Sequence, residues 1–375
     1  MVSGTYGWQR LDVRQALAGP PSSDTSGFAV ALRLGPGRHA VTLEADLPDE
    51  GWVPFAAGSS RVTWWDYLLR SWRRDREFIT IERQQQGRLP LRLAPQHEPR
   101  PLEPETFPAA PAGPLPPFAI VTPSYQQAPY LEAALASVLD QPGVRVRYAV
   151  IDGGSTDGSR EILERWSPRL TYWRSAPDGG QADAVRAGFA ALPPDPDEIM
   201  AYLNSDDAFM PGALAFVADH FRRHPEVDVV FGHRVLIDEA GREVGRWPAP
   251  RRAVADLAWF DLIPQETLFW RRRLWERVGG IDPSFKFALD WDLLLRFRAA
   301  GARFARLPWF LALFRLHLAQ KSQAQLERDG IPEMNLLRER ALGAAPPSRA
   351  LWKKTLAAQE DSYRLLRHLK WGVRR

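Results

Sequence analysis

Residues 118–159 read FAIVTPSYQQAPYLEAALASVLDQPGVRVRYAVIDGGSTDGS, an alternation of short apolar runs and helix-spaced segments. Phe118 to Thr122 is a continuous apolar run of strand length. Pro129 to Gln141 follows with helical spacing and a proline at its opening, where a missing N–H costs nothing. Arg147 to Ile151 predicts a second strand and Asp157 to Trp166 a second helix. The pattern continues outward with a helix from Gln181 to Leu192 and a strand from Ile199 to Leu203. Repeated strand–helix units predict an α/β domain, a mainly parallel sheet flanked by helices.

Upstream lies a proline-rich stretch with Pro95, Pro99, Pro101, Pro104, Pro108, Pro111, Pro114, Pro116 and Pro117. Such a run makes neither a helix nor a central strand and reads as a semi-rigid extended linker over 95–117. It divides the α/β region at 118–325 from a β-rich N-terminal domain at 1–94. That domain shows strand-like runs at 28–33, 39–44 and 78–83, with Gly35-Pro36-Gly37 as a turn. A helical, basic segment at 326–375 ends the chain.

The composition sets bounds. With 375 residues, 45% hydrophobic and 25% charged, the chain is of ordinary globular character. The absence of cysteine excludes disulfides and thiolate metal sites. Met1 to Trp8 carries no signal-peptide pattern, and no apolar stretch reaches the roughly 18–20 residues a membrane span needs. The expected location is therefore the cytoplasm. Net charge is only +4, but Arg349, Lys353, Lys354, Arg364, Arg367, Lys370, Arg374 and Arg375 face just Glu360 and Asp361 after Ser348. This reads either as a solvated helix face or as a peripheral contact with an anionic membrane at its inner face. No nucleic-acid motif accompanies the charge, so no nucleic-acid partner is expected. His220 and His224, spaced i,i+4, lack an accompanying glutamate motif and read as a solvated helix end rather than a metal pair.

Open α/β sheets bind ligands at the carboxyl ends of their strands. The polar loops that follow the expected strands are Thr122-Pro123-Ser124-Tyr125, Asp152-Gly153-Gly154-Ser155-Thr156-Asp157, and Asn204-Ser205-Asp206-Asp207. A further loop, Pro177-Asp178-Gly179-Gly180-Gln181-Ala182-Asp183, joins them on the same sheet edge. Asp157 or Ser155 can serve as a helix cap instead of a ligand contact. Asp152 closes a buried strand and so requires a partner. Paired acids at Asp206-Asp207 suit a hard divalent cation bridging two phosphates.

These motifs, with Tyr130-Leu131, Val278-Gly279-Gly280-Ile281-Asp282 and Leu289-Asp290-Trp291-Asp292-Leu293, resemble glycosyltransferase family 2, from roughly Phe118 to Ser322. The resemblance implies a GT-A, Rossmann-like fold and an inverting, metal-dependent glycosyltransferase that uses a nucleotide-diphosphate sugar. It implies that Thr122, Ser124, Tyr125 and Asp152 hold the nucleotide, with Asp206 near the ribose and Asp207 on Mg²⁺ or Mn²⁺. It places Asp178, Gln181 and Asp183 facing the donor, with Arg186 beside them, and suggests Gln265-Glu266-Thr267 as a sugar contact. Arg315-Leu316-His317 and Lys321-Ser322 resemble an element closing over the diphosphate, with His317 on the metal and Lys321 on phosphate. The general base falls at Asp290 or Asp292; Asp290 is favoured, although Leu289 stands where the family has glutamate. The implied acceptor is a glycan, lipid-linked or other hydroxyl, in surface polysaccharide or glycoconjugate synthesis. A sugar nucleotidyltransferase would want a glycine-rich basic loop at 122–127, which is lacking. An inactive nucleotide-sugar-binding scaffold would be expected to lose the metal acids, which are present.

Overall fold

The computed structural model describes residues 37–47, 51–62, 95–108, 113–317, 320 and 325–370. The chain falls into two compact units, 1–90 and 91–375. In the first, β1 (Gly37–Leu47) pairs antiparallel with β2 (Gly51–Val62). Register slips between Leu43 and Glu44, opposite Ala56 and Pro54. A bulge of this kind tolerates a proline that a regular ladder would not. The expected strand at 39–44 lies inside β1; those at 28–33 and 78–83 lie outside the described residues.

The second unit is built on one nine-stranded sheet of order β5-β4-β3-β6-β10-β8-β11-β7, with β9 on β8. Its first half is parallel: β3 (Phe118–Ser124), β4 (Val146–Asp152), β5 (Tyr172–Ser175) and β6 (Ile199–Tyr202). The second half is mixed. It comprises β7 (Ala208–Phe209), β8 (Val229–Ile237), β9 (Glu243–Trp247), β10 (Phe269–Arg271) and β11 (Phe304–Arg315). β10 runs antiparallel to both β6 and β8, whereas β11 runs parallel to β8. Every residue of β3 is buried, as a strand covered on both faces requires.

The helices follow their sequence logic. α1 (Ala128–Leu139) opens on Pro129 and buries Leu131, Ala134, Leu135 and Val138, an i, i+3, i+4, i+7 stripe. α2 (Ser159–Trp166) and α3 (Gln181–Ala191) complete the parallel half. Later come α4 (Ala213–Arg223), α5 (Arg272–Val278), α6 (Leu289–Ala299), α7 (Ile331–Leu342) and α8 (Ser348–Lys370). The pair His220 and His224 closes α4, and burial pulls His220 down to about 4.

Chain order creates the crevice. β3, β4 and β5 step outward in one direction; β6 then returns to the other side of β3. Between β3 and β6 the connections diverge, which opens a cleft at the strand ends. Parallel register puts Ser124 beside Asp152, and Asp152 beside Ser175, in one row along that edge. β6 stops earlier, pairing Tyr202 with Val121, so the Asn204–Asp207 turn comes next to the end of β3.

The described part of the proline-rich stretch forms no helix and lies on the α/β unit. Gln96 and Arg100 donate backbone bonds to Val244 and Glu243, and Phe107 stacks on Phe216 at 5.1 Å. Buried Glu243 pairs with Arg100 at 2.5 Å and Arg246 at 2.9 Å. In the basic terminal segment, Lys354 is paired with Asp256 at 2.5 Å. Among the described residues, no helix is long and apolar enough to cross a membrane.

Close approach of α3 to β3 rests on Gly188, where an added Cβ would come 2.4 Å from Val121 Cγ1. Overpacking costs about 1–3 kcal/mol, against up to ~1 kcal/mol gained in helix propensity by Gly→Ala. Gly188→Ala is therefore expected to lower the urea midpoint of the α/β unit; a raised midpoint would contradict this packing.

Candidate functional site

Three loops at the parallel edge are stitched together by side chains. Asp152 is fully buried, and its Oδ2 accepts from Gly154 N (3.2 Å), Ser155 N (2.8 Å) and Ser175 Oγ (2.7 Å). Its Oδ1 accepts from Ser155 Oγ at 2.5 Å. The strand-closing acid thus finds its partners in its own loop and the next strand. Gln126 has φ 54°, the left-handed region, and its N–H donates to Ser155 Oγ at 2.8 Å. Its amide also bonds Thr156, so the β3–α1 loop is latched onto the β4–α2 loop.

Asp157 takes both helices in hand. Oδ2 accepts from Ala128 N at 2.8 Å, the first residue of α1; Oδ1 accepts from Ser159 N and Oγ, the first residue of α2. The capping alternative is the one observed. Burial pushes the Asp157 carboxyl up, but the bonds from Ala128 and Ser159 outweigh it and hold it below its ordinary 3.8.

At Gly153 the floor is bare. A Cβ there would meet the Tyr125 ring at 3.2 Å, Asp178 Oδ1 at 3.4 Å and Ser124 O at 3.7 Å. Around this point two polar atoms, Ser124 Oγ and Asp178 Oδ2, are buried without a hydrogen-bond partner. Such atoms cost about 1–3 kcal/mol each unless something pairs them. Tyr125 is 61% exposed, an aromatic face open beside the same glycine. Thr122, by contrast, lies beneath the edge: it is fully buried and shares a 2.7 Å hydrogen bond with Tyr148. Its hydroxyl bridges the neighbouring strands β3 and β4.

Across the cleft the acids gather. Asp207 is 2% exposed; burial, then Asp206 and Glu266, push its carboxyl well above the ordinary carboxylate range. Its Oδ1 accepts the Arg315 N–H at 3.1 Å. The Arg315 guanidinium bonds the carbonyls of Asp206, Asp238 and Glu239, and stacks 4.9 Å from the Tyr130 ring centre. His317 Nε2 lies 2.9 Å from Asp206 Oδ2, and its ring packs on the other partner of this group, Tyr130, at 4.9 Å. Glu266, 1% exposed, sits 2.7 Å from Arg234 Nε as an ion pair whose angle is not that of a hydrogen bond.

A polar relay joins the two sides. Gln181 Nε2 donates to Asn204 Oδ1 (2.7 Å), Asn204 Nδ2 to Gln265 Oε1 (3.1 Å), and Gln265 Nε2 to the Tyr202 carbonyl (2.7 Å). This ties the start of α3 to the acidic turn and to the short 3-10 turn Gln265–Thr267.

Asp290 and Asp292 part company. Residues i and i+2 on a helix do not share a face. Asp292 is buried and bound to Arg296 on its own helix, at 2.8 Å to Nε and 2.6 Å to Nη2. Arg296 in turn bonds the carbonyls of Val278 and Gly280. Asp292 therefore clamps the glycine turn through Arg296. Asp290 is half-buried, and its charge acts on Tyr202, Asp261 and Glu266. That brings it to the acid side of the cleft.

Asp261 was not foreseen. Burial, then Asp290, push its carboxyl well above the ordinary range, and its Oδ1 is buried without a partner. The signal was present: an acid inside Leu257-Ala258-Trp259-Phe260-Asp261-Leu262-Ile263 is placed to be buried. Arg234, deep in a strand, carried no such mark. Asp183 and Arg186 are exposed on α3, and Lys321 lies outside the described residues.

Among the described residues no three His, Asp or Glu side chains already form a metal cluster. Mg²⁺ and Mn²⁺ in phosphate sites need only one or two protein ligands beside water and phosphate. Asp207, with Asp206 and His317 adjacent, fits that smaller set, and the crowded acids are what a cation would relieve.

A model of the family described as Glycosyl transferase family 2 matches residues 119–282. An uncharacterized glycosyltransferase of Mycobacterium tuberculosis is 30% identical over 183 residues, 48% of this chain and 68% of that protein. A PGL/p-HBAD biosynthesis glycosyltransferase of Mycobacterium bovis is 27% identical over 186 residues, 48% of this chain and 69% of that protein. Among solved structures, S. aureus TarS 1–349 in complex with UDP-GlcNAc aligns with TM-score 0.48 and 18% identity, covering 64% of this chain and 70% of that one.

Because the native value of Asp157 lies below 3.8, its stabilising effect is complete above that pH and is lost as pH falls through the native value. Asp157→Ala is expected to cost about 0.5–2 kcal/mol at pH 7, with the deficit shrinking below pH 4 in parallel unfolding titrations. A deficit constant across pH would contradict the capping role.

Proposed function

Because the chain belongs to glycosyltransferase family 2, we propose that its cleft transfers a sugar from a nucleotide-diphosphate donor to an acceptor hydroxyl, with inversion and with a divalent cation. The observation that carries this reading is the pairing of two unlike surfaces across one cleft. One holds buried unpartnered Ser124 Oγ and Asp178 Oδ2 beside bare Gly153; the other holds Asp206, Asp207 and Asp290.

The nucleoside lies over Gly153, with Tyr125 along the base and Ser124 and Asp178 supplying the buried polar contacts. A residue larger than glycine at 153 would fill that floor. Asp152 acts one step back, holding the 153–156 loop. Gln181 and Asn204, bonded to each other, border the donor between floor and acids. Asp207 would hold Mg²⁺ or Mn²⁺, with Asp206 and His317 at its side. A bound cation would supply positive charge against the diphosphate leaving group.

Asp290 is the general base. It takes the proton of the acceptor O–H as that oxygen bonds to the anomeric carbon. The bond from that carbon to the diphosphate oxygen breaks, and its electron pair leaves with the nucleoside diphosphate. With one base opposite the leaving group and no covalent intermediate, the anomeric centre inverts. The name of the Mycobacterium bovis relative supports a glycoconjugate acceptor.

Two outcomes test this. Asp207→Ala should abolish Mn²⁺-dependent nucleotide binding in calorimetry, and Asp290→Asn should leave that binding intact while lowering transfer by at least about 10²-fold, at the low end of general-base contributions. Metal-dependent binding retained in Asp207→Ala, or full transfer by Asp290→Asn, would contradict it. Burial and its acidic neighbours raise the Asp207 carboxyl, so a cation there competes with a proton. Affinity for the Mn²⁺–nucleotide is therefore expected to rise with pH, with proton release visible as a dependence of the binding heat on buffer; a heat independent of buffer would count against this.

A further inference from the structure

Asp290 stands in the first turn of α6, where its own Oδ1 accepts the Trp291 N–H at 2.9 Å. α6 starts after Ala288, and no side chain of that residue can serve its first turn. The N–H groups leading into a helix need partners from elsewhere. They find them on Glu333, in the first turn of α7, outside the segment that matches the family model. Lys286 N donates to Glu333 Oε1, and Phe287 N and Ala288 N donate to Oε2, each at 2.8 Å. One carboxylate thus gathers the three successive backbone donors immediately before α6, and its negative charge stands at the positive end of that helix.

Other contacts show that α7 grips this segment from both sides. Gly330 lies against the Phe287 ring, where an added Cβ would come within 3.0 Å. On the far side of Asp290, Trp291 Nε1 bonds the Leu257 carbonyl at 2.7 Å. The Arg338 guanidinium stacks 5.5 Å from the Trp291 ring and bonds the Trp259 carbonyl at 2.9 Å.

We propose that Glu333 is a positioning residue for the reaction: its carboxylate fixes the 286–288 turn and so sets the reach of Asp290 into the cleft. The proposal rests on the reading of Asp290 as the general base. It makes the helical segment at α7 part of the catalytic apparatus. A misplacement of about 1 Å at a reacting group can cost on the order of 10²-fold in rate. Loss of three charge-assisted bonds at the helix start permits such a shift without touching the nucleotide floor at Gly153.

The test uses the full chain with Glu333→Ala, Glu333→Gln and Asp290→Asn. Three quantities are read: nucleotide affinity with Mn²⁺, nucleoside diphosphate release from UDP-GlcNAc or GDP-mannose with water as acceptor, and amide exchange at 286–288. In Glu333→Ala, affinity should stay within about twofold, release should fall roughly 10–100-fold, and the amides should lose protection. Glu333→Gln, which keeps a neutral acceptor oxygen, should recover part of both rate and protection. Amides still protected in Glu333→Ala overturn the proposal whatever the rate. So does an unchanged release rate, or a loss of nucleotide affinity in step with it. Release retained by Asp290→Asn sinks the base assignment itself, whereas its loss beside full activity in Glu333→Ala sinks only the positioning role.

Discussion

Burying Asp207 beside Asp206 and Glu266 is electrostatically unfavourable, and the second half of the sheet is arranged to offset it. Two arginines do most of this. Arg315 ends β11, gives its N–H to Asp207 and spreads its guanidinium over three carbonyls around the acidic turn. Arg234, on β8, sits against Glu266 with its charge over the Trp247 and Phe314 rings. Burial, with Asp206 and Glu266, still leaves the Asp207 carboxyl well above the ordinary range. A fully paired acid would bind a cation weakly, and an unsupported one would deform the turn. The protein holds the acids between those limits, and in the proposed reading a divalent ion and a diphosphate would complete the charge balance.

The parallel half solves a different problem. It must present a flat, rigid floor made of loops, which by nature are the softer parts of a fold. Rigidity comes from backbone donors closed onto side chains: Asp152 for its own loop, Asp157 for two helix starts, Gln126 for the seam between loops. With these donors satisfied internally, Ser124 Oγ and Asp178 Oδ2 are left buried without a partner, which is why the proposed donor site is placed on them. The relay from Gln181 through Asn204 to Gln265 ties floor and acids together, so the two halves of the cleft hold a fixed separation.

Much of this was legible from the chain because of one-dimensional contrast. β3, β4 and β6 are apolar runs bounded by polar loops, and the predicted bounds fall within about two residues of those observed. The motifs after them carried the cleft. The mixed half was harder, since β10 is three residues long and β8 and β11 include His233, Arg234 and Arg306, whose burial depends on distant partners. Motif position alone favours Asp290 over Asp292; the Arg296 partner of Asp292 is a contact the letters do not show. The Tyr148 partner of Thr122 is another such contact. Glu333 read as an ordinary first-turn acid, because its partners are backbone groups some 45–47 positions away.

The central claim is that one cleft at the β3/β6 divergence takes both nucleotide and cation. The most direct measurement is a crystal structure of the protein grown with Mn²⁺ and a bound nucleoside diphosphate, with anomalous data collected for manganese. The account predicts an anomalous peak within ligand distance of Asp207, the base over Gly153, and polar base or ribose atoms bonded to Ser124 Oγ and Asp178. A nucleotide seated away from Gly153, or manganese bound without Asp207, would contradict it.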